Sequence, residues 1–129
     1  MSSASWQSPD ELAQQWWANQ RTERPEWTPI DEFLAGPTQP GDLDRLDLVR
    51  ALVAAADGRE ELVRVGAGPL EELIVRQGTA LVDRIEQDAR QDAAFRVVLS
   101  GVWLGGEVPT AIRLRLVRFG VTDLSRTGE

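Results

Sequence analysis

Apolar residues recur at three- and four-residue spacing along most of this chain, the period of a helix with one buried face, and glycine or proline breaks the pattern at intervals. Ser8-Pro9-Asp10-Glu11 joins a capping serine, a first-turn proline and a reciprocal capping glutamate. A helix is expected from there to about Gln20, with Leu12, Ala13, Trp16 and Trp17 on its apolar side. Thr28-Pro29-Ile30-Asp31 repeats the start signal ahead of Phe33 and Leu34, and Gly36-Pro37 stops that helix within two turns. Between Asp42 and Asp57 the periodic positions are Leu46, Val49, Val53 and Ala56; Leu62 and Val65 continue the period after Gly58. Pro69 opens a helix carrying Leu70, Leu73 and Ile74 that Gly78 is expected to end, and Leu81, Val82, Ile85 and Ala89 mark the next, closing near Asp92. Phe95, Val98, Leu99, Val102 and Trp103 form a wide stripe as far as Gly105-Gly106. Residues 112–116 alternate as a strand would, yet Ile112, Leu116 and Phe119 also fit a helix starting at Pro109. With no partner strand evident, the helix is the expectation.

The pattern predicts an all-α fold, a compact single-domain bundle of about six to seven short helices over residues 1–129. Residues 1–7 are expected to be disordered, 36–41 to form a surface loop and 120–129 to fray. A length of 129 residues, 42% apolar and 27% charged, suffices for one packed core. The start of the chain has no basic segment followed by an apolar run, and the longest apolar stretch is six residues, Ala51–Ala56. A cytoplasmic protein that does not enter the membrane is the expectation.

Composition narrows the chemistry. Histidine, cysteine, tyrosine and lysine are all absent, which removes imidazole bases, thiolate nucleophiles and metal ligands, Schiff-base lysines and phenolic acids. Ser100 and the threonines have no base to activate them. Every one of the 14 basic residues is arginine, and the net charge is -7, the wrong sign for a protein held to nucleic acid by phosphate neutralisation. Residues 1–58 carry ten acids against four arginines, and residues 59–129 eleven against ten. The acidity lies in the first half and suits a basic protein partner.

Two sets of residues are candidate sites. Trp6, Trp16, Trp17 and Trp27 crowd the first 27 residues, more indole than one short helix buries on a single face, and tryptophan anchors binding surfaces disproportionately. With Asp10 and Glu11 they are the candidate partner-binding residues. Carboxylates on facing helices can hold magnesium for an all-α nucleotide hydrolase, and Glu72, Asp83 and Glu86 are the candidate ligands, the last two at three-residue spacing. Glu71 and Glu72 are adjacent and diverge by about 100° on a helix, which leaves that set incomplete. Gly66-Ala67-Gly68-Pro69 resembles an anion-binding corner, but Pro69 removes a donor and Glu71 and Glu72 repel anions. Close helix packing explains those glycines better. Arg113, Arg115 and Arg118 are expected to form a solvated basic face.

Ala67-Gly68-Pro69-Leu70-Glu71-Glu72-Leu73, with Gly78, Asp83-Arg84-Ile85-Glu86, Ala89, Phe95-Arg96 and Val102-Trp103, resembles a bacterial domain of unknown function, the 6869 family. The resemblance covers about residues 45–119, and Leu12–Trp17 looks like that family's N-terminal tryptophan helix. It implies a small, mostly helical bacterial protein and supplies no activity, cofactor or site residue. The reading that follows is a non-enzymatic protein–protein interaction module, of adaptor or immunity type, with no cofactor. The alternatives are the magnesium-dependent nucleotide hydrolase and a small-ligand-binding regulatory protein.

Overall fold

The computed structural model describes residues 8–36 and 44–124. The expectations for residues 1–7, for most of the 36–41 loop and for the end of the 120–129 tail lie outside the described residues. The all-α expectation holds. The helices fall into two compact units, Met1–Ala56 and Asp57–Glu129.

In the first unit, α1 (Pro9–Gln20) starts as its sequence requires: the Ser8 hydroxyl accepts from the Glu11 amide, and the Glu11 carboxylate accepts from the Ser8 amide. The same reciprocal cap, Thr28 with Asp31, starts α2 (Pro29–Ala35). The third helix, α3 (Arg45–Ala54), is capped by the Asp44 carboxylate, which accepts from the amides of Leu46 and Asp47. Helices α1 and α3 pack together, burying Ala13, Trp16 and Trp17 on one and Leu46, Leu48, Val49 and Leu52 on the other. Helix ends leave carbonyls without intrahelical donors, and α1 supplies two for α3. Trp17 Nε1 donates to Leu52 O at 2.9 Å, and Arg21 Nη2 to Ala55 O at 3.2 Å. The buried Arg45 stacks over Phe33 at 4.3 Å and donates to its carbonyl, tying α3 to the end of α2.

The second unit begins with α4 (Arg59–Val65), which runs without a break through a π-helical turn (Gly66–Leu70) into α5 (Glu71–Gln91). Where the sequence suggests a corner, the helix widens instead. Pro69 has no amide to give to the ladder, and a π turn absorbs that loss with a local bulge. Gly66 is there for contact: a Cβ on it would lie 1.8 Å from the Val98 carbonyl oxygen, and one on Gly101 would lie 2.3 Å from that of Val63. The α4–π segment and the end of α6 (Ala93–Leu99) therefore meet backbone to backbone, as the close-packing reading of the glycines requires. The helix break expected at Gly78 is present as a kink one residue earlier. At Gln77, with φ -136° and ψ 21°, α5 kinks and then continues, because the apolar period resumes with Val82, Ile85 and Ala89, all buried. Bare Gly78 lies against Ile74 and against Ile112 of α7 (Thr110–Val117).

The expected stripe through Trp103 is divided. Helix α6 stops at Leu99, and Trp103–Leu104 form a short strand, β1, parallel to β2 (Thr122–Asp123) with Trp103 opposite Thr122 and Leu104 opposite Asp123. Gly120, at φ +109°, makes the turn that a side-chain-bearing residue would strain to adopt. Val121 and Asp123 are consequently buried, so the expected fraying from residue 120 gives way to ordered structure through Leu124. Residues 110–117 are helical, as expected.

Candidate functional site

The predicted site residues separate sharply by burial. Trp16 and Trp17 are sealed in the first unit, 3% and 0% exposed, with their rings edge to face at 4.8 Å. Each buried indole N–H has an acceptor: Leu52 O for Trp17, and Asp31 Oδ1 at 2.9 Å for Trp16. Neither ring is available as a surface anchor, which corrects the expectation that both present themselves to a partner. Asp31 Oδ2 accepts from the Thr28 amide, so one carboxylate caps α2 and holds a core tryptophan. Glu11 is occupied with the Ser8 cap, Asp10 is exposed in the first turn of α1, and Trp6 lies outside the described residues.

Trp27 is the exception, 68% exposed. It stands on the loop between α1 and α2, and that loop is fixed. The Asn19 side chain donates to Glu26 O at 2.8 Å and accepts from the Glu26 amide at 3.1 Å, imitating a strand pairing across the loop. The Thr22 hydroxyl donates to Asn19 O at 2.8 Å. The indole Nε1 donates to Glu32 Oε1 at 2.6 Å, a bond between two exposed side chains. The same loop carries Glu23 and Glu26 alongside Arg21 and Arg24, all exposed. A large apolar ring thus stands in water on a tied loop, with one carboxylate at its N–H edge.

The second set of candidates is drawn to arginines. Glu72 pairs with Arg76 at 2.8 Å, one helical turn on. Asp83 and Glu86 both receive Arg115 of α7, with 2.6 Å contacts from Nη2 to each. Arg90 approaches Glu86 at 3.8 Å. The hydrogen bond from Arg115 holds the Glu86 carboxyl below its ordinary 4.5; burial works in the opposite direction, and the charges of Arg115, Arg90 and Arg118 reinforce the lowering. Glu86 and Asp83 in turn hold Arg115 more firmly protonated than usual. A carboxyl pushed down in this way is a poor proton donor or acceptor near neutrality. Among the described residues, no group of three or more acidic, histidine or cysteine side chains is disposed to hold a metal ion. Asp83 and Glu86 form an ionic lock between α5 and α7.

This lock has a pH signature. Because Glu86 titrates lower in the folded chain, its contribution is complete above the unfolded-state value and disappears as pH falls through the folded one, below 4.5. In urea unfolding from about pH 7 down to about pH 3, the native chain is expected to lose its advantage over Arg115→Met across that window. Parallel pH profiles for the two would contradict the lock.

Sequence reasoning missed two features. Arg113 is buried rather than part of a solvated face. It pairs with Asp123 at 3.0 Å and donates to the carbonyls of Val108 and Gly105 and to the Thr110 hydroxyl. Its only sequence signal is the internal position between Ile112 and Leu116 on α7. Trp103 is 56% exposed, and its amide donates to Glu71 Oε1 at 2.9 Å. The short Val102-Trp103-Leu104 run bounded by glycines was the available hint of a strand with one outward side chain.

Fold and site together describe a small all-α protein whose first unit, among the described residues, displays one exposed indole. The chain belongs to the family of unknown function DUF6869, whose model matches residues 7–121. That span includes the tryptophan helix α1 already likened to the family and adds α2 and the Trp27 loop. No curated protein and no solved structure matches the chain. Among the described residues, no helix is long and apolar enough to cross a membrane.

Proposed function

We propose that this chain acts by binding another protein, with Trp27 and the Glu32 carboxylate beside it as the contact surface. The observation that carries the reading is the combination of 68% exposure with an indole hydrogen-bonded to Glu32 and a loop tied by Asn19. Leaving an indole in water costs solvation free energy and contributes nothing to the core. A ring that already has a hydrogen-bond partner has less rotamer freedom to lose on binding, the general advantage of preorganisation. The reading uses no acid–base or nucleophilic chemistry, which accords with the ionic commitment of Glu72, Asp83 and Glu86 to arginines.

Trp27→Ala is expected to leave stability within about 0.5 kcal/mol, as for a surface substitution. Partner affinity should fall by about 2 kcal/mol or more, the threshold for a binding hot spot. Quantitative affinity capture from the native cell, wild type beside Trp27→Ala, is the test. One stoichiometric protein retained by the wild type and lost with the variant supports the surface. Equal retention by both, or none by the wild type, overturns it.

A further inference from the structure

We propose that the group seated on Trp27 is a cation, the guanidinium of an arginine in a basic segment of the partner, stacked on the indole face beside the Glu32 carboxylate. The proposal rests on Trp27 being the contact surface and adds the chemistry of what it contacts.

Three observations carry it. First, guanidinium stacking recurs in this molecule: Arg21 over Trp17 at 5.1 Å, Arg45 over Phe33 at 4.3 Å, and Arg90 over Phe119 at 5.8 Å. None of the described arginines lies over Trp27, the most exposed of the large apolar side chains described. Second, the indole N–H donates to a carboxylate at 2.6 Å. That hydrogen bond draws electron density into the ring, and Glu32 places a full negative charge at its edge; both strengthen attraction for a cation above the face. Third, the surroundings have the complementary sign. Residues 1–56 hold nine acids against four arginines, and the carboxylate shown at the ring is that of Glu32, with Arg21 and Arg24 the basic residues of the same loop. A neutral apolar group would gain from the ring but nothing from this field. An arginine gains from both, because its planar guanidinium can stack and still donate in its own plane to a carboxylate.

The experiment is a calorimetric titration with a capped oligo-arginine peptide and its oligo-citrulline counterpart, which keeps the planar shape and removes the charge. The titrations use the intact chain, Trp27→Phe and Trp27→Leu. Oligo-arginine should bind the native chain, and oligo-citrulline should not. Trp27→Leu should weaken arginine binding about three- to fivefold, the size of an exposed cation–π contact, with Trp27→Phe between. Equal binding to all three chains would mean diffuse charge attraction, and equal binding of both peptides would mean that the cation is irrelevant; either overturns the proposal. Capture of a cellular partner that depends on Trp27, together with peptide binding that does not, would remove the cation and leave the docking surface standing. Independence of both from Trp27 would remove both.

Discussion

Gly66→Ala will unfold the Asp57–Glu129 unit, while Gly68→Ala, two residues on in the same π turn, will leave it folded. A methyl group on Gly66 would sit 1.8 Å from the Val98 carbonyl oxygen and 2.9 Å from its carbon. The obstacle is backbone within a helix, so no rotamer change relieves it and two helical segments must separate. Overpacking in adaptable cores typically costs about 1–3 kcal/mol. A clash that cannot relax belongs with the rare substitutions above about 4 kcal/mol, a large share of the ~5–15 kcal/mol that holds a domain folded. At Gly68 no other part of the chain lies within 4 Å of the added atom. There the entropy that alanine saves in a helix, about 0.5–1 kcal/mol, is offset by the crowding of a Cβ directly before Pro69, so the net change is small. Urea unfolding followed by far-ultraviolet circular dichroism measures both, and similar midpoints for the two variants would refute the backbone contact.

Trp17→Ala should destabilise the first unit by about 3–5 kcal/mol, the range for removing a large aromatic side chain from a core. Trp17 is fully buried, stacked by Arg21 and set edge to face against Trp16. Its loss also leaves Leu52 O without its side-chain donor at the end of α3. Trp17→Phe keeps most of the volume and removes that donor, and should cost less than the alanine. Thermal and urea unfolding with a partner-binding assay separate a core role from a surface one. Stability retained by Trp17→Ala, with binding lost, would place the ring outside the core and contradict the packing of α1 on α3.

The parts of the fold that short-range patterns encode were legible. Ser8 with Glu11 and Thr28 with Asp31 name their caps within four residues, and the periodic stretches gave the helices in order. Sequence separation hid the rest. Arg115 meets Asp83 and Glu86 across 32 and 29 residues, so the same acids looked equally suited to a metal. Two-residue strands are too short to show alternation, which is why Trp103 read as part of the helical stripe that begins at Phe95. Trp16, Trp17 and Trp27 are chemically alike, and only the tertiary positions of Leu52, Asp31 and Asn19 decide that two are core and one is displayed. The acidic excess of the first half of the chain was readable from composition alone.

The short parallel pairing of Thr122–Asp123 with Trp103–Leu104 sets where this protein can be cut. The family match ends at residue 121, a natural boundary for an expression fragment. A chain ending there would keep Arg113 inside α7 and discard Asp123, its carboxylate 3.0 Å away. A buried guanidinium deprived of its counter-ion is among the costlier defects a folded chain can carry. The shortest fragment that keeps its charge balance inside therefore extends at least through Asp123, and a fusion partner at this end belongs beyond Leu124.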